Sequence, residues 1–161
     1  MQEKVRIAIA GMGEMGMVRA VIAKGLSTYD LVCVIDPRGT FARLAGKQLG
    51  VSHYSSYEKA ASAKEFDALI ISTPLVSHYD LGMQAVRDGK HVFCEKPLAG
   101  DSTRAIQMHR EAKVPVEVHL FFKGDHAFNM GKRTSLISVK GWPERMSDWL
   151  MDSGIIPVSE K

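Results

Sequence analysis

The residues whose types and spacing suggest chemistry begin at Gly11. In Val5-Arg6-Ile7-Ala8-Ile9-Ala10-Gly11-Met12-Gly13-Glu14-Met15-Gly16 an apolar run gives way to glycines in the spacing G-x-G-x-x-G. Each glycine has a separate physical use there. Gly11 permits the tight turn out of a strand. Gly13, lacking a Cβ, lets the backbone approach a pyrophosphate. Gly16 lets the following helix sit close to the strand. The loop residues between them, Met12, Glu14 and Met15, would surround the phosphates, which the helix N-terminus attracts through free N–H groups and its dipole. The charge of Glu14 suits that dipole but repels phosphate. Twenty residues after Gly16, a second apolar run, Leu31-Val32-Cys33-Val34-Ile35, ends at Asp36. A carboxylate at this spacing accepts hydrogen bonds from an adenosine ribose and repels a 2′-phosphate, which favours NAD over NADP. Arg38 weakens that preference because it is within reach of a phosphate. The alternative for Asp36 is a turn residue before Pro37.

These residues need strands that end side by side and helices that start beside them. The pattern predicts strands over residues 5–10, 31–36, 51–54, 67–73, 91–95 and 114–122. It predicts helices over 13–24, 40–49, 57–64, 74–88 and 103–112, with Ser56 and Asp101 or Ser102 as N-terminal caps. Met15, Val18 and Ile22 are expected to form the buried face of the first helix, and Phe41, Leu44, Ala45 and Leu49 that of the second. Strands alternate with helices, and the strands are continuous apolar runs. That is the pattern of an α/β fold, a doubly wound parallel sheet covered on both faces. The dinucleotide-binding domain is expected to span 1–122. Residues 123–161 read as an irregular tail with a short strand at 136–139 and a helix at 143–152. This tail either packs on its own sheet or docks on another copy to make a homo-oligomer.

The chain has 161 residues, 45% of them hydrophobic and 24% charged, and a formal net charge of +3. This is enough for one domain with a real core. The basic residues are scattered, so no nucleic-acid surface is indicated. No apolar run approaches the roughly 20 residues of a membrane span. The first residues lead directly into a strand without a signal segment, which points to the cytoplasm. Cys33 and Cys94 fall in strands that a 3-2-1-4-5 order would hold about 14 Å apart, too far for a disulfide. No His or acid pair has metal-ligand spacing.

The stretch Ser72-Thr73-Pro74, His78 and Gly89-Lys90-His91-Val92-Phe93-Cys94-Glu95-Lys96-Pro97-Leu98-Ala99, taken with the glycines and Asp36, resembles the glucose–fructose oxidoreductase / inositol dehydrogenase (Gfo/Idh/MocA) family over residues 4 to about 122. The resemblance implies NAD as cofactor, with NADP not excluded, and a small-molecule substrate such as a sugar or cyclitol. It places Ser72, Thr73 and Pro74 along the cofactor's ribose and nicotinamide. It places Glu95, Lys96 and Pro97 at the floor where nicotinamide meets substrate. Lys96 would hydrogen-bond a substrate hydroxyl and help move its proton; the alternative is a plain ion pair with Glu95. His78 either lies near the cofactor or caps a helix turn.

The sequence also departs from the family. Members carry a second α/β domain over the site, and an Asp-x-Gly-x-His element whose His is an acid/base candidate. The nearest match here is Asp152-Ser153-Gly154-Ile155-Ile156, which puts Ile156 at the position of that His. His126, past the sixth predicted strand, is the substitute candidate; its alternative is a surface loop residue. Three readings follow: an NAD(P)-dependent oxidoreductase, a non-catalytic NAD(H)-binding sensor or regulator, and a truncated product of a full-length dehydrogenase.

Overall fold

Among the described residues the apolar runs form five strands: β1 (Val5–Ala10), β2 (Tyr29–Ile35), β3 (Ser52–Tyr54), β4 (Ala68–Ile71) and β5 (His91–Cys94). The computed structural model describes residues 4–114, 135–136 and 140–152. All strand pairs are parallel, in the order β3-β2-β1-β4-β5. Helices α1 (Glu14–Gly25), α2 (Gly39–Leu49), α3 (Tyr57–Ala63), α4 (His78–Arg87) and α5 (Ser102–Glu111) alternate with them. The chain divides into two units, Met1–Val114 and Pro115–Lys161. In the second, α6 (Trp142–Asp152) matches the helix expected over 143–152.

Parallel strands require crossover helices, and right-handed crossovers from a β1 centre put the first two helices on one face and the next ones on the other. The cores show this division. Ile7, Ile9, Leu31 and Val34 pack with Ala20 of α1 and with Ala45 and Leu49 of α2. On the opposite face Ala8, Ala10, Cys33, Ile35, Leu69 and Ile71 pack with Tyr57 and Ala60 of α3 and Ala85 of α4. Both expected caps are present. Ser56 accepts the N–H of Lys59, and Asp101 accepts that of Arg104.

Three expectations about packing need correction. First, α1 buries Gly16, Ala20 and Ala23, whereas Met15, Val18 and Ile22 are exposed. A stripe of small residues has the same helical period as a stripe of large ones. It wins here because it allows a much closer approach to the sheet. Likewise α2 buries Ala42, Ala45, Gly46 and Leu49, and leaves Phe41 and Leu44 exposed. Second, among the described residues β4 and β5 are less completely buried on one face than on the other. Leu69 and Ile71 are fully buried under α3 and α4, but Ile70 is half-buried and Phe93 is 59% exposed. Ile70 packs against the core that α1 and α2 cover, and the Arg19 guanidinium of α1 lies near the Phe93 ring. Third, 74–88 is not one helix. A 3₁₀ turn, Leu75–Ser77, follows Pro74, and α4 begins at His78. The fixed φ of proline starts the turn, and a single α-helix forms only after it.

The sixth expected strand lies outside the described residues beyond Val114. Of the short strand expected over 136–139, only Leu136 is described. It is not in a strand, and its carbonyl accepts the N–H of Lys140 at 3.0 Å.

Candidate functional site

Gly11, Asp36, Ser72 and Glu95 are each the first residue beyond a strand, of β1, β2, β4 and β5 respectively. Ladder hydrogen bonds carry the sheet's register out to all four. Gly11 N–H donates to Ile35 O at 2.8 Å, Ser72 N–H to Ala10 O at 2.8 Å, Asp36 N–H to Tyr54 O at 3.1 Å and Glu95 N–H to Ile71 O at 2.9 Å. The carboxyl edge of a parallel sheet, where strand order reverses about β1, is the ligand crevice of open α/β folds. Here it opens into a cavity of about 900 Å³ lined by Gly11, Gly13, Glu14, Met15, Asp36, Arg38, Ser72, Thr73 and Pro74, among others.

The glycine turn has the expected division of labour. Gly11 has a φ of +89°, and a Cβ there would lie 2.6 Å from Ser72 O. A Cβ on Gly16 would lie 1.8 Å from Gly11 O, so this glycine packs α1 onto the turn itself. Gly13 differs, since a Cβ on it would meet nothing within 4 Å. No protein contact demands a glycine there; the space beside it belongs to the cavity. Gly13 is also the N-cap of α1 and offers no side-chain hydrogen bond, so the first N–H groups of the helix have no side-chain cap. That open cradle fits a pyrophosphate.

Asp36 is 2% exposed. Its Oδ2 accepts Met12 N–H at 2.9 Å and the Arg38 guanidinium at 3.1 Å. Its Oδ1 accepts Arg38 N–H at 2.9 Å and Arg38 Nε at 3.0 Å. Burial opposes ionisation, but the Arg38 side chain and the two backbone N–H groups outweigh it and hold the carboxyl below its ordinary range. Met12 is therefore buried beneath the cavity, where its N–H fixes the carboxylate. The Arg38 guanidinium sits 4.0 Å from the Phe41 ring centroid.

Glu95, Lys96, Pro97 and His78 do not line this cavity. Two ties connect them to residues that do. His78, 2% exposed, places Nε2 2.7 Å from Thr73 O and Nδ1 2.8 Å from Pro97 O, bolting the exit of β4 to the loop after β5. It is not the N-cap of α4, which is Ser77, but it closes the preceding 3₁₀ turn as its C-cap, its backbone N–H donating to Leu75 O. The second tie is Arg19, which sequence reasoning missed. Its guanidinium donates to Ser72 Oγ at 3.1 Å and pairs with Glu95 Oε2. A signal did exist, since Arg19 is a cation between Met15 and Ile22 in a stripe read as apolar. Glu95 Oε1 accepts the backbone N–H of Lys96 at 3.0 Å. That bond, followed by Arg19, lowers the carboxyl's pKa. The Lys96 ammonium has no ion pair among the described residues, so the pairing with Glu95 considered for it is not observed. His91 and His53 are exposed, and His109 bonds within its own helix to Ala105 O at 2.9 Å. His119, His126 and Ile156 lie outside the described residues.

The model of the oxidoreductase family with the NAD-binding Rossmann fold, Gfo/Idh/MocA, matches residues 5–120. The chain belongs to this family. Scyllo-inositol 2-dehydrogenase (NAD(+)) of Bacillus subtilis is 31% identical to it over 163 residues, covering 98% of this chain and 47% of the relative. Among solved structures, an NAD-binding protein from Listeria innocua is 33% identical with a TM-score of 0.64, covering 69% of this chain and 33% of that one. GenD2 from gentamicin A biosynthesis, solved in complex with NAD, is 25% identical with a TM-score of 0.67, covering 70% and 32%. The chain thus spans less than half the length of these relatives. The Gfo/Idh/MocA assignment makes NAD the cofactor class of the fold described above.

Proposed function

We propose that the chain binds NAD(H) in the cavity at the carboxyl edge of the sheet and serves hydride transfer at a hydroxyl-bearing carbon of a sugar or cyclitol. The observation that carries this reading is Gly13, open to the cavity at the uncapped N-terminus of α1, beside a buried, ionised Asp36. Bound there, the nicotinamide supplies the hydride chemistry. The chain's own residues bind and orient. Backbone N–H groups at Gly13 and the first turn of α1 hold the pyrophosphate. Asp36 accepts a ribose hydroxyl. A carboxylate has about four acceptor positions, and those of Asp36 are all engaged, two by the Arg38 side chain. The ribose therefore displaces a guanidinium bond, and Arg38, with its largely exposed side chain, is released toward a 2′-phosphate when NADP is offered. Thr73 and Pro74 extend the wall toward the nicotinamide. Lys96 orients the substrate hydroxyl and takes part in its proton transfer.

The inositol dehydrogenase named among the relatives supports the substrate class. A second reading, NAD(H) binding without turnover, is favoured by Ile156 at the family's histidine position, because isoleucine cannot carry a proton. NADH fluorescence titration followed by a polyol panel with NAD separates the two. Binding with turnover supports the oxidoreductase, and binding without any turnover supports the sensor. An unchanged NADH affinity in Gly13→Val would refute both.

A further inference from the structure

The Arg19 guanidinium meets three segments at once. It leaves the second turn of α1, donates to Ser72 at the exit of β4, and pairs with Glu95 at the exit of β5. Its carbon centre is also 5.7 Å from the ring centroid of Phe93, a residue 59% exposed. The two paired side chains are only 18% and 24% exposed, so water screens the contact less than it would a surface pair. Glu95 passes the constraint on, because its second oxygen holds the Lys96 backbone N–H. Arg19 thus reaches the Lys96 backbone through one carboxylate, and the Thr73–Pro74 wall through the adjoining Ser72.

We propose that Arg19 is a positioning residue for the nicotinamide half of the site, fixing the β4 and β5 exits relative to the glycine turn through Ser72 and Glu95. The inference rests on the NAD(H) reading above. Asp36 marks the adenosine end of the cavity and the N-terminus of α1 marks the pyrophosphate. The rest of the cofactor then runs toward the β4 and β5 exits. Arg19 touches neither Asp36 nor the glycine turn by hydrogen bond. Its loss should therefore act on one half of the dinucleotide and spare the other.

The experiment compares two probes on the whole chain. NADH reports both halves of the cofactor, and ADP lacks both the nicotinamide and the ribose attached to it. The variants are Arg19→Ala, Arg19→Lys, Glu95→Gln and the double variant Arg19→Ala/Glu95→Gln, each with a thermal melt. Arg19→Ala should weaken NADH about tenfold and change ADP by less than about twofold, the size expected for a charged hydrogen-bond pair lost from one end. Arg19→Lys should recover part of the NADH loss. The double variant should be no worse than Arg19→Ala, because residues acting as one unit are not additive. Equal losses for both probes would mean a general structural role and would overturn the proposal, as would an unchanged NADH affinity or additive losses. If the unmodified chain binds neither probe, the NAD(H) reading itself fails and takes this inference with it. If it binds both and the variants show no split, only the role of Arg19 fails.

Discussion

The two ends of the cavity are held by different kinds of structure. At the β1–β2 end the hydrogen bonds to Asp36 span 24 residues or fewer and lie within one strand–helix–strand unit. Asp36 is anchored by Met12 N–H and by Arg38 two residues on, and the glycine turn packs against itself through Gly16 and Gly11 O. At the β4–β5 end Arg19 brings in partners 53 and 76 residues away, and a buried histidine side chain adds a shorter tie. Arg19 reaches Ser72 and Glu95, and His78 spans from Thr73 to Pro97. The first end is built from backbone geometry and one buried carboxylate. The second is two loops tied together by side chains, with Phe93 largely exposed beside them. A site made this way has an adenosine end that is preorganised locally and a nicotinamide end whose shape depends on a few long-range bonds.

The largest expected effect comes from breaking the first end. Gly13→Val adds a side chain into open cavity without touching protein, so the fold should survive while NADH affinity falls by about two orders of magnitude or more through steric exclusion of the pyrophosphate. Fluorescence titration beside a thermal melt checks both halves of that statement. Breaking the second end should instead cost stability. His78→Ala leaves the carbonyls of Thr73 and Pro97 without their buried partner and should destabilise the chain by about 2–4 kcal/mol, read as a lower midpoint in urea unfolding.

Arg38→Ala sharpens the comparison by acting on cofactor choice alone. It frees two acceptor positions on Asp36 and removes the cation near a 2′-phosphate. The NADH to NADPH affinity ratio should rise about tenfold with little change in stability, since the Arg38 side chain is 56% exposed. A ratio that stays constant would show that Arg38 has no part in the choice. The smallest effect is that of pH. Asp36 and Glu95 both have lowered pKa values, and Asp67, paired with Arg6 where β1 and β4 begin, is lowered to about 2. Carboxylates depressed in the fold stabilise it at every pH above their unfolded value near 4. That stability is lost as pH falls from there through the folded values. Unfolding free energy and NADH affinity should therefore show no carboxylate transition between pH 5 and 8, and both should decline below about pH 4. A carboxylate step near neutral pH would contradict the ionised Asp36.

The adenosine end was legible in the sequence because its determinants are local. The spacing of Gly11, Gly13 and Gly16 reports a turn, and Asp36 ends an apolar run at the right interval. The strand order is the 3-2-1-4-5 arrangement used to place the two cysteines. The other end was less legible. Glu95, Lys96 and Pro97 were noticed by resemblance, but the group that positions Glu95, Arg19, lies 76 residues away. It was overlooked because it sits in a stripe assigned to the core. The same misjudged stripe hid the exposure of Met15, Val18 and Ile22. Hydrophobicity ranks residues by size, whereas close helix–sheet packing selects Gly16, Ala20 and Ala23.

By itself, then, the sequence determined a parallel α/β sheet, the glycine turn and the carboxylate that follows the second strand, because backbone freedom and apolar periodicity act over short range. Only the tertiary structure decided that Gly13 faces empty space, that Asp36 has every acceptor position engaged, that His78 is a buried bolt and that Arg19 joins three segments. Those facts depend on which strand exits the sheet brings side by side. The bonds behind them form only once β1, β2, β4 and β5 are in register, which no single strand decides.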